Sequence, residues 1–325
     1  MSIAQQLHFD AIVCDGHCDT LGEVLAGFRR LHDHAGHGHV DLPRLAAGGV
    51  TAQVFACFVP VSEYHAGATR HALQRLDAFH EALAEDDSRL LLATGAADIP
   101  QAKASGRIAG LLGLEGAEAL AGSLEVLRCF HRLGVRVLGL TWNYRNEVAD
   151  GVHDSGMTGL TPFGVRVIEE CNRIGMVIDV SHLSPAGLAH VLEVSQRPVI
   201  ASHSNARALC DHIRNLTDAQ IEAIAAHDGL IGVTFVPAFL TTPEEDATLG
   251  HVLDQLDYLI RVAGPEHVMI GSDFDGIHFA PRGIEDASRY PALTEGMLMR
   301  GHDETTIRQV LGLNFLRVLH TVCGR

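Results

Sequence analysis

The sequence is poor in lysine and in positive charge. Its 325 residues include 24 Lys and Arg against 40 Asp and Glu, which gives a formal net charge of −16. This acidic balance argues against a nucleic-acid partner, because nucleic-acid-binding proteins usually carry a basic face. Lys103 is the only lysine, and it lies in a polar stretch. Its position leaves little room for Schiff-base, P-loop or carbamylated-lysine chemistry.

The chain also lacks the patterns typical of exported and membrane proteins. Residues 1–10 show neither the basic start nor the apolar stretch of a signal peptide. The most apolar window, residues 229–240, is far shorter than the roughly 20 residues that a membrane helix needs. The seven cysteines form no CxxC pair and are expected to be reduced. We therefore expect a cytoplasmic protein without a membrane partner.

Short apolar runs rich in β-branched residues alternate with helical patterns. Because both faces of these runs are apolar, they are typical of parallel strands covered by helices. The predicted strands cover residues 11–14, 51–59, 107–114, 135–140, 175–180, 198–201, 229–236 and 267–270. The predicted helices cover residues 69–85, 123–133, 161–174, 185–194, 218–226, 249–263 and 304–322.

Eight strands alternating with helices predict a single α/β domain over residues 1–325, a (β/α)8 TIM-like barrel. An open doubly wound sheet is the second interpretation, but no GxGxxG motif follows an early strand. The His-rich segment 32–39 (HDHAGHGH) is predicted to be a solvated loop, since its composition alone is weak evidence for a metal site.

Metal-ligand residue types follow five of the predicted strands. In a (β/α)8 barrel the active site is built at the carboxyl ends of the strands, so these residues are expected to converge. They occur in the segments 15–19 (DGHCD), 115–116 (EG), 179–182 (DVSH), 202–204 (SHS) and 272–275 (SDFD).

Five of these side chains form a nitrogen and oxygen ligand set suited to zinc. His17 and Asp19 are two residues apart, which places both on one face of an extended strand end. His182 and His203 could hold a second ion, and Glu115 could bridge two ions with its two oxygens. Each residue alone also has a structural interpretation, as a turn residue, a buried histidine or a helix-start glutamate. Their coincidence at the strand ends favours the metal site.

The ordered motifs resemble the membrane (renal) dipeptidase family, peptidase family M19 of the amidohydrolase superfamily. The resemblance runs nearly end to end. It rests on DGHCDT (15–20), DLPRLAAGGVTAQVF (41–55), LEGAEAL (114–120), LTWNYRNEVADG (140–151), DVSHLS (179–184), SHSNARAL (202–209), IRN (213–215), GSDFDG (271–276), GIEDASRYP (283–291) and NFLRV (314–318).

The resemblance implies a binuclear zinc centre. In it, His17, Asp19 and Glu115 hold one ion, while Glu115, His182 and His203 hold the other. Asp273 corresponds to the family's catalytic Asp, and Arg214 to the arginine that pairs with the carboxylate of the substrate. A guanidinium fork suits two-pronged binding of a carboxylate. Family members are often homodimers, and we expect the same here.

One position departs clearly from the family. The LTH motif of the family carries a histidine that polarises the scissile carbonyl, and Trp142 stands there in this sequence. Tryptophan can donate one N–H but cannot titrate. His153 is a candidate substitute, and Asn143 and Asn146 are further candidates to line the site. A smaller departure is GLN at 312–314, where the family often has GGN.

The sequence therefore predicts a zinc-dependent dipeptidase that uses a metal-activated water. The alternative is another amidohydrolase activity, on N-acyl amino acids, lactones or cyclic amides. The presence of Trp142 in place of the family's histidine is the reason to consider it. A non-catalytic metal-binding protein is disfavoured, because a purely structural site needs no acid–base carboxylate such as Asp273.

Overall fold

The computed structural model describes residues 2–60, 67–154 and 158–324. Within these ranges it contains nine parallel strands. In chain order they are β1 Cys14–Cys18, β2 Ala52–Phe58, β3 Leu90–Leu92, β4 Ile108–Glu115, β5 Val135–Gly139, β6 Val177–Asp179, β7 Val199–Ala201, β8 Leu230–Val233 and β9 Val268–Ile270.

Helices separate most of these strands. They are α1 Ile3–Asp10, α2 Thr20–Leu25, α3 Leu42–Ala47, α4 Ala68–Glu85, α5 Asp98–Ser105, α6 Leu124–Arg132, α7 Pro162–Ile174, α8 Pro185–Val194, α9 Asp218–Ala226, α10 Leu249–Ala263, α11 Pro291–Met299, α12 Glu304–Arg308 and α13 Asn314–Cys323. Across the described ranges, none of the helices combines the length and the apolar character needed to cross a bilayer.

Eight of the strands close into a barrel, which confirms the predicted (β/α)8 fold. The pairing runs β2–β1–β9–β8–β7–β6–β5–β4, and β4 pairs with β2 to close the ring. The short β3 lies outside this ring and pairs with the start of β4. Because all pairs are parallel, the carboxyl ends of the eight strands meet at one end of the barrel.

The opposite end of the barrel is filled by apolar side chains. Ala52, Val177 and Leu230, the first residues of their strands, belong to one buried cluster that also contains Phe315 and Val318 of α13. The last helix thus packs against the amino ends of the strands. This apolar filling leaves the carboxyl ends as the place for polar side chains.

Local sequence signals explain where the helices begin. The side chain of Ser184 caps α8 by accepting a hydrogen bond from the Gly187 amide, and Pro185 follows at the first helical position. Thr161 and Pro162 start α7 in the same way. These two helices begin where the sequence predicts them, directly after the loops that carry the residues 140–153 and 180–184.

Two of the predicted elements differ clearly from the sequence-based prediction. The first strand is Cys14–Cys18 rather than residues 11–14, because the buried carboxylate of Asp15 is fully hydrogen-bonded and a polar residue can therefore continue the strand. The predicted helix 304–322 is interrupted by a π-helical turn at Gln309–Leu313. Gly312 in that turn packs so closely on the segment leading into β1 that a Cβ would lie 2.5 Å from the Ile12 carbonyl oxygen.

The His-rich segment is a loop between α2 and α3, as predicted, but it is not uniformly solvated. His32 is buried, and its Nε2 lies 2.7 Å from the Ala82 carbonyl oxygen. The ring of His39 stacks on Phe274, and the amide of Asp275 donates to its Nδ1. Two of the histidines therefore anchor the loop beside the carboxyl end of β9.

Candidate active site

A cavity of about 490 Å³ opens at the carboxyl ends of the strands. It brings together the side chains that follow β1, β4, β5 and β9 and those of the loops after β6, β7 and β8. Its lining comprises Asp19, Gly22, Glu23, Phe58, Arg75, Glu115, Trp142, Asn143, His153, His182, His212, Arg214, Val236, Phe239, Asp273, Asp275, Gly276 and Ile277.

His17, Asp19 and Glu115 form one cluster of potential metal ligands at this cavity. The Nε2 atom of His17 lies 3.5 Å from Asp19 Oδ2 and 3.6 Å from Glu115 Oε2. One ligand atom from each residue lies within 4.8 Å of the others. His17 Nε2 and Asp19 Oδ1 are buried and have no hydrogen-bond partner among the described residues. Such unpaired buried atoms fit a site for a cation.

Glu115, His182 and His203 form a second cluster that shares the carboxylate with the first. Glu115 Oε1 lies 3.1 Å from His182 Nε2 and 3.9 Å from His203 Nε2. The two histidine Nε2 atoms are 2.7 Å apart. The two oxygens of Glu115 therefore face different groups of ligand atoms, Oε2 towards His17 and Oε1 towards the histidine pair.

Buried carboxylates behind the ligands fix the strand ends. Asp179 also lies near His17 and His203, but its oxygens accept hydrogen bonds from the amide and the hydroxyl of Ser202. Since the Ser202 hydroxyl donates to Asp179, it accepts from His203 Nδ1 at 2.7 Å. This arrangement directs the lone pair of His203 Nε2 towards the site.

Asp15, within β1, is the second of these buried carboxylates. It is fully buried and accepts hydrogen bonds from the Ser272 hydroxyl at 2.6 Å and from the Tyr290 hydroxyl at 2.6 Å. It also accepts from the backbone amide of His17 at 3.2 Å. These contacts tie β1, which carries His17, to the segment after β9, which carries Asp273.

The electrostatics of the clusters follow from burial and from the proximity of like and unlike charges. Burial, reinforced by Asp19, raises the pKa of Glu115 to about 7. Burial alone would lower the pKa of His17, but the carboxylates of Glu115 and Asp19 raise it well above its ordinary value. Burial lowers the pKa of His182 and His203, which keeps both neutral and able to bind a metal.

Asp273 lies beside the first cluster, with its Oδ1 atom 3.9 Å from His17 Nε2. Its backbone is in the left-handed region with a φ of 63°, and its amide donates to the His17 carbonyl oxygen. A non-glycine residue held in this region is often found at a functional site. Burial raises the pKa of Asp273 well above its ordinary value, and Asp19 adds to this effect.

Arg214 forms the cationic wall of the cavity. The residue is only 5% exposed, and its guanidinium lies over the Phe239 ring at 5.6 Å. Burial lowers its pKa to about 10, so the group stays charged at neutral pH. Its Nη2 contacts the His203 carbonyl oxygen at 3.4 Å, and its Nε has no partner among the described residues. The guanidinium is thus available to an anionic ligand.

The loop after β5 places the remaining predicted residues. Trp142, Asn143 and His153 all line the cavity, and the Trp142 ring lies 6.0 Å from the His182 ring. Asn146 does not line the cavity. Its side chain bonds to Glu118, to the Leu140 carbonyl oxygen and to two amides of its own loop.

Some cavity residues were not identified from the sequence. Arg75 on α4 and His212 reach the cavity from segments without a catalytic motif. His212 stacks on Phe239 with the ring centroids 4.3 Å apart, and its Nδ1 accepts from the Arg214 amide. Since His212 precedes Arg214 by two residues, the IRN motif could have pointed to it, whereas nothing in the pattern around Arg75 does so.

Comparisons with known proteins identify the family of the chain. Residues 1–323 match the family described as membrane dipeptidase (peptidase family M19). The chain is 35% identical over 339 residues to dipeptidase verJ of Clonostachys rogersoniana, covering 99% of this chain and 87% of that protein. It is also 38% identical over 292 residues to human dipeptidase 3, covering 88% of this chain and 59% of the human protein.

Solved structures of the same family superpose closely. The M19 metallopeptidase described as dipeptidase AC has a TM-score of 0.91 at 34% identity, covering 97% of this chain and 99% of that one. A metallopeptidase from Rhodobacter sphaeroides, liganded with a phosphinate mimic of the dipeptide L-Ala-D-Ala, has a TM-score of 0.90 at 33% identity. Here the alignment covers 96% of this chain and 100% of that one. The chain therefore belongs to the membrane dipeptidase family, peptidase family M19 of the amidohydrolase superfamily, and is a metallo-dipeptidase.

Proposed function

We propose that the protein hydrolyses dipeptides at a binuclear centre that binds two Zn²⁺ ions through His17, Asp19, Glu115, His182 and His203. The position of Glu115 carries this proposal, because its two oxygens face two separate ligand clusters. Nitrogen and carboxylate ligands of this kind suit zinc. Divalent ions in such a site lower the pKa of a bound water and polarise a carbonyl oxygen.

Asp273 is the proposed general base and general acid. Its carboxyl group lies beside His17 at the edge of the first cluster and faces the cavity. In this role it accepts a proton from the attacking water and then delivers that proton to the leaving amine. Because it lies at the edge of the cluster and lines the cavity, this carboxylate is placed to exchange a proton with a water bound there.

Arg214 is proposed to bind the free carboxylate of the substrate. Its buried guanidinium lines the cavity and keeps unused hydrogen-bond donors. A charge-assisted pair at this depth fixes the C-terminal end of the substrate close to the ligand clusters. Because Arg214 shares one cavity of about 490 Å³ with Glu115 and His182, this contact restricts the substrate to short peptides.

A substrate panel on the metal-reconstituted protein tests this function. Turnover of L,L- or L,D-dipeptides, with two equivalents of zinc per chain by elemental analysis, is the expected result. Asp273→Asn should keep the zinc and lower kcat by several orders of magnitude. If only N-acyl amino acids, lactones or cyclic amides are hydrolysed, the dipeptide assignment fails, and a single equivalent of metal at full activity would contradict the binuclear centre.

A further inference from the structure

In the side-chain amide of Asn143, the oxygen has a hydrogen-bond partner in the protein, and the nitrogen has none within the described part of the chain. Its Oδ1 atom lies 2.7 Å from Nδ1 of His182. Among the residues that the structure describes, no group accepts a hydrogen bond from its Nδ2 atom. Since the residue lines the cavity, the Nδ2 atom of this amide is available to a bound substrate.

The orientation of this amide follows from the role of His182. The Nε2 atom of His182 faces Glu115 and His203, so a metal bound there needs the lone pair of Nε2. A neutral imidazole that offers Nε2 as a ligand carries its proton on Nδ1. The partner of Nδ1 must then be a hydrogen-bond acceptor, so the Asn143 atom that contacts His182 is the amide oxygen. Both N–H donors of the Asn143 amide therefore point away from His182.

The backbone around Asn143 is fixed by the same loop that holds His182. The Asn143 carbonyl oxygen accepts from the His153 amide at 2.9 Å, and the Val152 amide donates to the His182 carbonyl oxygen at 2.8 Å. Gly151 packs directly against Asn143, because a Cβ at Gly151 would lie 2.3 Å from the Asn143 carbonyl carbon. The donor is therefore held in place before any substrate binds, as electrostatic stabilisation of a transition state requires.

Two neighbouring side chains could compete for the same task. Trp142 is wedged among Phe58, Tyr144 and His182, with ring centroids between 5.5 and 6.0 Å apart. The His153 side chain is exposed and lies against Tyr144 at 5.8 Å. Of the three side chains, only Asn143 also contacts a member of the ligand clusters through a hydrogen bond.

We propose that Asn143 is a catalytic residue whose side-chain amide donates a hydrogen bond to the carbonyl oxygen of the scissile peptide bond. This inference rests on the proposed dipeptidase function. The hydrogen bond strengthens as negative charge develops on that oxygen during attack by water. The oxygen of the same amide keeps His182 in the tautomer that binds metal.

Two substitutions at position 143 test the proposal. Asn143→Asp keeps an oxygen for His182 but removes both N–H donors, and Asn143→Ala removes the donors without adding charge. Both variants should lose about 10²–10³-fold in kcat, the loss typical of one removed oxyanion donor, with a much smaller change in KM. For Asn143→Ala, the affinity for a phosphinate mimic of a dipeptide, measured by calorimetry, should fall by a factor close to the loss in kcat/KM.

Metal content separates a catalytic role from a structural one. Asn143→Asp should retain the zinc stoichiometry of the wild type, and a loss of activity that simply follows a loss of zinc would overturn the proposal. Trp142→Phe and His153→Ala are control variants that remove the competing donors, and each should lower kcat less than Asn143→Ala does. A drop in either control that exceeds the drop in Asn143→Ala would transfer the role to that residue.

An observation on the wild-type protein keeps the proposal testable if the variants fail to fold. On addition of the phosphinate mimic, the side-chain amide resonance of ¹⁵N-labelled Asn143 should move downfield, and an unchanged resonance would refute the contact. A wild type that is inactive on every dipeptide would contradict the proposed function. Full activity of Asn143→Ala would contradict only the role of Asn143.

Discussion

Gly276 is the position where a single methyl group should disturb catalysis with little effect on folding. It lies beside two carboxylates of the site, and a Cβ built on it would be 2.4 Å from Asp19 Oδ2 and 2.5 Å from Asp273 Oδ1. Its backbone is outside the left-handed region, so alanine causes no backbone strain there. The strain of Gly276→Ala therefore falls on the two carboxylates.

The size of the effect follows from these distances. Ordinary van der Waals contact with a Cβ begins at 3.4 Å, so each carboxylate must move by about 1 Å or rotate away. A displacement of about 1 Å at reacting groups can cost about 100-fold in rate, which corresponds to about 2.7 kcal/mol of transition-state stabilisation. We expect kcat/KM of Gly276→Ala to fall by about two orders of magnitude.

Steady-state kinetics on a dipeptide, together with metal analysis and thermal unfolding, check this prediction. Gly36→Ala is the matched control, because a Cβ at Gly36 meets nothing within 4 Å and its backbone lies outside the left-handed region. The control should behave as the wild type in all three measurements. Wild-type kcat/KM for Gly276→Ala, with both metals bound, would refute the placement of Asp19 and Asp273 around this glycine.

Two further predictions concern Arg214 and Asp275. Arg214→Met should raise KM by about 10–100-fold, the effect of losing a charge-assisted hydrogen bond, and should abolish the preference for a dipeptide over its C-terminal amide. An unchanged preference in competition assays would show that another group binds the carboxylate. Burial alone would raise the pKa of Asp275, but the hydrogen bond from His39 and the charge of Arg29 lower it to about 2. Because this value lies below the ordinary value of 3.8, the stabilisation is present above pH 4 and is lost as the pH falls towards 2. Asp275→Asn, which removes the buried ion pair of Asp275 with Arg29, should therefore lower the free energy of unfolding at pH 7 by about 3 kcal/mol and flatten its decline below pH 4. Denaturant titration measures both effects, and an unaltered pH dependence would contradict this ion pair.

The barrel and the ligand residues could be predicted because they depend on local pattern and on a general rule of the fold. Apolar runs alternating with helical patterns identified the strands. The rule that active sites form at the carboxyl ends of barrel strands then grouped His17, Glu115 and His203 before any distance was known. Hydropathy failed at β1, since the buried polar residue Asp15 continues the strand through hydrogen bonds to partners more than 250 residues away.

Long-range contacts explain the other differences. His39 was predicted to be solvated with its neighbours, yet it stacks on Phe274, which is distant in sequence. Arg75 faces the cavity because α4 packs against β2. Neither contact leaves a signal within one segment of the chain, so composition and periodicity could not identify them.

The sequence by itself determined the fold class, the family and the residue types of the site, because these depend on periodicity, motif order and the chemistry of individual side chains. Only the tertiary structure decided that the two oxygens of Glu115 face different ligand clusters. It also decided that Nδ2 of the Asn143 amide, rather than Oδ1, is available to a ligand. Both depend on the direction of side chains that come from different strands and loops. Those directions are set by the closure of the barrel and by the hydrogen bonds of the loop after β5, which no stretch of sequence specifies alone.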